Sequence, residues 1–360
     1  MVDIKLLKDL CNAEAIASNE QEIRDILVKD INGQVSFDGI GSMIVKHNAS
    51  NNYNYNSRNN DDKSRALKLM FCAHMDEVGF MVRYISDIGM LHLIQIGGVK
   101  DSAKSFQAVN VTLEDGKKLR GLMNCSYDDN HKVKDVYVDI GLSSREEVLK
   151  AGVNIGDMVC FASDSEMINE NVLMAKALDD RVGCYILKEV DKRLKGINHD
   201  NDVYLSFTSS EEVGTRGGKC STDIVDPDIV FAIDVACAPD LVRNYTNQRQ
   251  ISKGCMIVHY DKTMIPNKKL LKFIKDIALE NNISFQCDMF SAGGTDAANA
   301  HLVNGGKLAI VLGVPLRYCH GSYSMTDLRD VEGLVELIIN IIKTLDREKY
   351  ELISSYLLEV

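Results

Sequence analysis

The sequence predicts an α/β protein in which a layered α/β domain with a mostly parallel central sheet carries an inserted, small β-barrel-like domain. From residue 171 onward, strand-like and helical stretches alternate, which is typical of layered α/β folds. Between residues 78 and 162, short strand-like runs are separated by Gly, Asp and Asn turns, which indicates a small β-barrel or β-sandwich. We therefore expect residues 1–76 and 167–360 to form the α/β domain and residues 77–166 to form the insertion.

The N-terminal segment is predicted to supply two helices and the first strands of the α/β domain. Helical periodicity covers residues 3–31, and the run 18–22 has the composition of a capped start for the second helix. Strands are expected at 34–38, 42–46 and 67–76. Seven asparagines between residues 47 and 60 favour turns, so this segment is expected to form a long hairpin tip.

The predicted insertion consists of strand-like runs and one short helical piece. Each run is apolar or β-branched and is bounded by residues that favour turns. The strands are expected at 79–85, 90–96, 108–113, 118–124, 133–140 and 157–161, and the helix at 144–151.

The C-terminal part is predicted to alternate buried strands with long helices. The helices are expected at 179–193, 266–281 and 326–347, and the strands at 172–175, 202–207, 229–234 and 308–313. These strands are apolar along most of their length, which predicts that they are buried. The glycine-rich run 214–218 is expected to be the turn that follows the strand at 202–207.

Composition and charge exclude some classes of function. The chain has 360 residues, 45% of them apolar and 26% charged, which is ordinary for a globular protein. A formal net charge of −11 argues against nucleic acid or an anionic membrane as the main partner. No apolar run reaches transmembrane length, and the N-terminus lacks the layout of a signal peptide. Ten scattered cysteines without a Cys-x-x-Cys pair favour reduced, buried thiols in a cytoplasmic protein.

Candidate site residues follow the predicted buried strands. In open α/β sheets, ligand sites lie beyond the carboxyl ends of the strands. Acidic or histidine side chains stand there in several segments, namely His74, Asp76, Asp179, Asp180, Glu211, Glu212, Asp234 and His320. Buried carboxylates are costly unless their charge is compensated, and a cation is the simplest compensation.

Each candidate also has an ordinary structural explanation. The acid pairs at 179–180 and 211–212 could cap helices, Asp234 could form a buried salt bridge, and His320 could be a hydrogen-bonded core histidine. These explanations weaken when the residues are considered together. A set with carboxylates in excess, imidazoles and no cysteine suits Zn²⁺, Co²⁺ or Mn²⁺ in a carboxylate-rich, often dinuclear site.

Six motifs, taken in order, resemble those of the tetrahedral (TET) and glutamyl aminopeptidases, a family of cocatalytic dinuclear metallopeptidases. They lie at 73–80, 177–183, 211–217, 232–234, 293–296 and 317–320. The second reads Ala-Leu-Asp-Asp-Arg-Val-Gly and the third reads Glu-Glu-Val-Gly-Thr-Arg-Gly. One such motif alone is a weak signal, whereas six in this order form a strong one. Together they cover most of the chain. The resemblance implies an α/β metallopeptidase that acts on short peptides with a free N-terminus.

The resemblance also implies which residues bind metal. Two divalent ions, Zn²⁺ or Co²⁺ or else Mn²⁺, would be bound by His74, Asp179, Glu212, Asp234 and His320. Asp179 would bridge the ions, because relatives often carry Asn at the position of Asp180. Glu212 and Asp234 would bind different ions, and His320 would complete the set of ligands around the ion that Glu212 binds.

Further implications concern catalysis and assembly. Glu211 would be the general base, and Asp76 would orient His74. In the resembled family the inserted domain builds dimers, which join into a hollow tetrahedral dodecamer. We therefore expect a homo-oligomer and an insertion that contributes no metal ligand, since its histidines, His92 and His131, are isolated.

Rival functions stay open on the sequence alone. A metal-dependent amidohydrolase or deacylase would use the same site on non-peptide amides. A glycoside hydrolase needs paired carboxylates, usually with aromatic platforms, but this chain has no Trp and only 6% aromatic residues. The sequence does not specify the preferred N-terminal side chain, the native metal, the size of the assembly, or the roles of Asp180 and Asp296.

Overall fold

The computed structural model describes residues 2–50, 65–238, 242, 245, 248–290 and 292–357. Within these parts the strands are β1 (Gln34–Phe37), β2 (Met43–His47), β3 (Lys68–His74), β4 (Gly79–Ile85), β5 (Leu91–Ile96), β6 (Gln107–Thr112), β7 (Lys118–Tyr127), β8 (Val133–Asp139), β9 (Met158–Phe161), β10 (Glu166–Met167), β11 (Val172–Ala175), β12 (Asp202–Thr208), β13 (Ile229–Cys237), β14 (Cys255–Tyr260), β15 (Phe285–Met289), β16 (Leu308–Leu316) and β17 (Ser324–Asp327). The helices are α1 (Ile4–Asn12), α2 (Gln21–Leu27), α3 (Arg145–Lys150), α4 (Leu178–Leu194), α5 (Arg216–Val225), α6 (Lys268–Glu280), α7 (Ala297–Ala300), α8 (Leu328–Thr344) and α9 (Arg347–Ser354). The hairpin tip expected in the asparagine-rich segment lies, from residue 51 onward, outside the described residues.

A central eight-stranded sheet organises the larger part of the molecule. Its strand order is β1-β2-β12-β3-β13-β16-β14-β15. The four strands β12, β3, β13 and β16 pair parallel at its centre, whereas β1, β2 and β14 introduce antiparallel pairings. The predicted α/β fold with a mostly parallel central sheet is therefore confirmed, and the carboxyl ends of the central strands meet at one edge.

Helices cover both faces of this sheet. Residues of α1, α4, α6 and α8 pack in one apolar core, and residues of α5 and α7 pack in a second core on the other side. Successive residues of β3 alternate between the two cores, with Phe71 in the first and Cys72 in the second. Burial on both faces explains why these strands are continuously apolar.

The insertion folds as a closed barrel with the strand order β4-β5-β8-β7-β6-β9. It has a core of its own, formed by residues such as Phe80, Val109 and Phe161. The observed strands agree with the predicted ones to within a few residues, because each run is apolar or β-branched and ends at a turn. The barrel prediction is confirmed.

Two local predictions are wrong. The run 214–218 is not simply a turn, since α5 begins at Arg216 and contains its last two glycines. A Cβ on Gly217 would lie 2.5 Å from the carbonyl oxygen of Ser209, so glycine there permits close packing of α5 on the turn that follows β12. The expected side-chain cap at 18–22 is also absent, because Glu20, at the N-cap of α2, makes no capping hydrogen bond.

The C-terminal region differs from the prediction in detail. The predicted helix at 326–347 is shorter, because β17 pairs with β11 and Asp327 then caps α8. Strands β14 and β15 and helix α9 were not predicted. The helices expected at 179–193 and 266–281 are confirmed as α4 and α6.

None of the ten cysteines is disulfide-bonded, and Cys72, Cys160, Cys184 and Cys255 are buried as expected. No helix in the described part of the chain is long and apolar enough to cross a bilayer. The cytoplasmic location stays a prediction.

A buried charge cluster joins the N-terminal segment, the entrance to the barrel and the start of α4. The Oε1 atom of Glu77 lies 2.5 Å from Nζ of Lys176 and 3.2 Å from a guanidinium nitrogen of Arg181. All three side chains are buried. Both cations also donate to the backbone carbonyl of Ala13. The cluster therefore fixes the relative positions of three chain segments.

We expect Glu77→Gln to destabilise the protein by roughly 3–5 kcal/mol, because it leaves two buried cations without their counter-charge. Chemical denaturation followed by circular dichroism measures the change. Glu170→Gln, at an exposed glutamate, is the matched control and should change stability by less than about 0.5 kcal/mol. Equal effects of both substitutions would contradict the structural importance of the cluster.

Candidate metal centre

The predicted site residues converge at the carboxyl edge of the central sheet. His74 ends β3, Glu211 and Glu212 follow β12, and Asp234 lies on β13. His320 follows β16, and Asp179 lies at the start of α4. Because the four strands are parallel neighbours, residues distant in sequence come together here.

Asp179 lies between two histidines. Its Oδ1 atom is 3.2 Å from Nε2 of His74, and its Oδ2 atom is 3.2 Å from Nε2 of His320. Glu212 approaches the same place, with Oε1 3.6 Å from Nε2 of His320. One ligand atom each from His74, Asp179 and Glu212 lie within 4.8 Å of one another, which is close enough to hold a metal ion.

Backbone carbonyls determine which nitrogen each histidine presents. Nδ1 of His74 lies 2.9 Å from the carbonyl oxygen of Asp76, and Nδ1 of His320 lies 3.2 Å from that of Gly98. A carbonyl oxygen only accepts hydrogen bonds, so Nδ1 carries the proton in both contacts. In the neutral imidazoles, the lone pair of Nε2 then points toward Asp179, as it would toward a bound metal ion.

The carboxylate of Asp76 holds the turn that carries the paired glutamates. Its two oxygens accept the backbone N–H groups of Glu211 at 2.9 Å and Glu212 at 3.1 Å. Its Oδ1 atom is also 3.5 Å from Nδ1 of His74. Asp76 therefore contacts both His74 and the backbone of the glutamate pair.

Asp180 and Asp296 face away from this group. The Asp180 carboxylate accepts the backbone N–H groups of His74 and Gly183. The Asp296 carboxylate accepts from the Thr208 hydroxyl and from the N–H of Gly218. Both residues are buried and both are used as backbone or side-chain acceptors.

Burial and crowding perturb the ionisation of the acids. Burial raises the pKa of Glu212 to about 7, with the charge of Asp179 adding to the effect. Burial likewise raises the pKa values of Glu211 and Asp234 well above their usual range. Asp179 is the exception: burial opposes its ionisation, but hydrogen bonds with His320 and His74 lower its pKa.

The pKa values of both histidines are raised as well. The hydrogen bond to Asp179 raises the pKa of His320 to about 9. For His74 burial lowers the pKa, but the contacts with Asp179 and Asp76 outweigh burial and raise it well above its usual value. The cluster as a whole attracts positive charge, and its donor set of carboxylates and imidazoles fits divalent metal ions.

A cavity of about 490 Å³ opens over this group. The wall includes residues that the sequence analysis did not single out, among them Gly98, Lys100, Arg249 and Phe290. Gly98 approaches closely, since a Cβ there would lie 3.1 Å from Nδ1 of His320. The Gly97-Gly98 pair after a strand was the only sequence signal for this approach, whereas Lys100 and Arg249 had none.

Comparisons with known proteins identify the family of this chain. The model of the M42 glutamyl aminopeptidase family matches residues 54–337. The lysyl aminopeptidase of Pyrococcus furiosus is 29% identical over 94% of this chain and 96% of its own. The crystal structure of a TET aminopeptidase from a marine sediment Thaumarchaeota archaeon is 31% identical with a TM-score of 0.90, covering 98% of this chain and 99% of that one. The Pyrococcus horikoshii TET1 peptidase can assemble into a tetrahedron or a large octahedral shell. Its structure is 29% identical with a TM-score of 0.81, and the match covers 95% of this chain and 99% of that one.

Fold and comparisons together define a peptide-bond hydrolase of the metallo-aminopeptidase class. More narrowly, the chain belongs to the M42 glutamyl aminopeptidase family, whose model matches most of its length. The resemblance derived from the six motifs is confirmed.

We expect Asp179→Asn to lose at least one bound metal ion together with activity, because both of its oxygens face histidine nitrogens. Metal content of the purified variant, measured by inductively coupled plasma mass spectrometry, checks this. Asp180→Asn is the matched comparison and should keep its metal, since that carboxylate bonds to backbone amides. A fully loaded dinuclear site in Asp179→Asn would instead assign the bridge to Asp180.

Proposed function

We propose that this protein is a dinuclear metallo-aminopeptidase that removes N-terminal residues from short peptides. The observation that carries the proposal is the position of Asp179 between the Nε2 atoms of His74 and His320. Each Nε2 atom lies opposite a carboxylate oxygen of Asp179, so both groups are placed to ligate a cation between them once Nε2 is deprotonated. The five proposed ligands are His74, Asp179, Glu212, Asp234 and His320.

The ligands divide between the two proposed ions. Asp179 would bridge them, since its two oxygens face different histidines. Glu212 lies next to His320, which supports their assignment to one ion, with His74 and Asp234 on the other. The combination of imidazole and carboxylate ligands suits Zn²⁺ or Co²⁺, with Mn²⁺ also compatible.

Bound divalent ions would polarise the scissile carbonyl and lower the pKa of the attacking water. Glu211 would take the proton from that water and pass it to the leaving amine. Its position supports this role, because its carboxylate lines the cavity and its Oε2 atom lies 3.9 Å from Nε2 of His74. Asp76 would orient His74 and the glutamate pair through the contacts described above.

A deacylase acting on N-acylated substrates would use the same ligands and the same base. Membership of the M42 glutamyl aminopeptidase family, together with the likeness to a lysyl aminopeptidase, favours an aminopeptidase over the deacylase alternative.

We expect Glu211→Gln to lower kcat by roughly 10²- to 10⁴-fold while metal content and fold are kept, because only proton transfer is disabled. Hydrolysis of a panel of aminoacyl-p-nitroanilides measures the loss. N-acylated amino acids serve as the contrasting substrates, and the wild-type protein should leave them intact. Near-normal turnover in Glu211→Gln would remove this residue from the mechanism, and preferred cleavage of the N-acylated substrates would favour the deacylase.

We further propose that residues 77–166 form a domain that mediates assembly into a homo-oligomer, from a dimer up to a tetrahedral dodecamer. The barrel carries large apolar side chains on its outside, including Tyr84, Ile88, Ile94, Phe106, Leu122 and Ile155. Burying such side chains in a symmetric interface stabilises an oligomer. The assembly of the P. horikoshii relative supports the upper end of this range.

Light scattering at working concentration should show at least a dimer, and activity on folded proteins should be far below that on short peptides. Ile88→Asp, which places a charge among the exposed apolar side chains of the barrel, should shift the protein toward smaller species. A wild-type protein that is monomeric and fully active would exclude assembly as a property of this fold.

A further inference from the structure

We infer that Glu20 is a positioning residue for Glu211, acting through the backbone of the turn that presents it. Glu20 stands at the N-cap of α2, yet its carboxylate reaches the segment between β12 and α5. The inference rests on the proposed role of Glu211 as the general base. Glu20 is not among the described residues that line the cavity, so its effect on catalysis would be indirect.

The turn that carries Glu211 needs support from outside its own sequence. β12 ends at Thr208 and α5 begins at Arg216, so Glu211 lies on neither element. Ser210, directly before it, has a φ of +61°, in the left-handed region that non-glycine residues rarely adopt. Such a conformation persists only where the surroundings hold it in place.

Side-chain oxygens from three other segments supply that support. Four successive backbone N–H groups of the turn each donate to one of them. The N–H of Ser209 donates to Oγ of Ser42 at 3.1 Å, and the N–H of Ser210 donates to Oε1 of Glu20 at 3.2 Å. The N–H groups of Glu211 and Glu212 donate to the two carboxylate oxygens of Asp76 at 2.9 and 3.1 Å. Glu20 thus holds the amide of the strained residue, one position before the proposed base.

The Glu20 carboxylate is itself fixed. Its Oε1 atom also accepts the Ser209 hydroxyl at 2.6 Å and the N–H of Ser18 at 2.9 Å. Arg24 lies 3.5 Å from its other oxygen, and the residue is 1% exposed. A buried acid that bonds to Ser209 and Ser210, 189 and 190 residues away in sequence, orients the turn more than it caps α2.

The expected result of Glu20→Ala is a loss in kcat of roughly 10- to 100-fold with KM changed by less than about threefold, because a displaced base impairs proton transfer more than binding. Metal content should stay at the wild-type level, since Asp76 still holds the amides of Glu211 and Glu212. Glu20→Gln keeps a carbonyl oxygen that accepts the same hydrogen bonds and should restore kcat to within about threefold of wild type. Asp25→Ala removes an exposed acid from the same helix and is the matched control, with kcat unchanged.

A double-substitution comparison tests whether Glu20 acts through Glu211. In the Glu211→Gln background, adding Glu20→Ala should lower kcat by no more than about twofold, since no base is left to position. Independent, multiplicative losses would overturn the inference, as would loss of metal or an equal loss from Glu20→Gln. If Glu20→Ala does not fold, Ser209→Ala removes one of the same contacts and should reduce kcat in the same direction, and wild-type kcat there would overturn the inference.

The two proposals fail in different ways. Wild-type kcat in Glu211→Gln would remove the general base and with it the basis of this inference. A strongly impaired Glu211→Gln variant together with an unimpaired Glu20→Ala variant would leave the proposed function intact and exclude only the positioning role.

Discussion

Crowded negative charge in a buried space is the constraint on which the rest of this architecture depends. One cavity contains the carboxyl groups of Asp179, Glu211, Glu212 and Asp234. Burial and mutual repulsion oppose their ionisation, and for three of them the pKa is raised. The backbone carbonyls that orient His74 and His320 leave Nε2 of each ring facing this charge. Protonation or a bound cation offsets this repulsion, and a rigid surrounding chain keeps the carboxyl groups close together.

A second set of acids, behind the first, supplies much of that rigidity. Asp76, Asp180, Asp296 and Glu20 are buried and each accepts backbone N–H groups from the segments that carry the cavity residues. Hydrogen bonds from backbone amides stabilise a buried carboxylate without placing it in the cavity. The site thus consists of an inner layer of acids that face the cavity and an outer layer that fixes the inner one.

This layering explains what the sequence could predict and what it could not. Apolar runs that end in acids or histidines indicated the edge of the sheet where the site lies, because parallel neighbours bring their ends together. Which member of an adjacent pair faces inward depends on tertiary geometry, so Asp179 was preferred to Asp180 only through the family resemblance. The signature around Glu20 matched a helix cap, but contacts with Ser209 and Ser210, far away in sequence, prevailed over the local preference. Lys100 and Arg249 gave no signal, since an isolated cation is an ordinary surface residue.

The barrel contributes to the candidate metal centre through the loop that follows β5. His320 has a φ of +62°. The loop after β5 contacts it at two points: the Gly98 carbonyl oxygen accepts from the imidazole ring, and the Lys100 N–H donates to the backbone carbonyl oxygen of His320. Because that loop belongs to the barrel, any movement of the barrel relative to the sheet would shift one histidine of the centre but not the other, which ends β3. An interface that holds the barrel in place would therefore also hold His320 in place. This physical link joins the proposed assembly to the proposed activity.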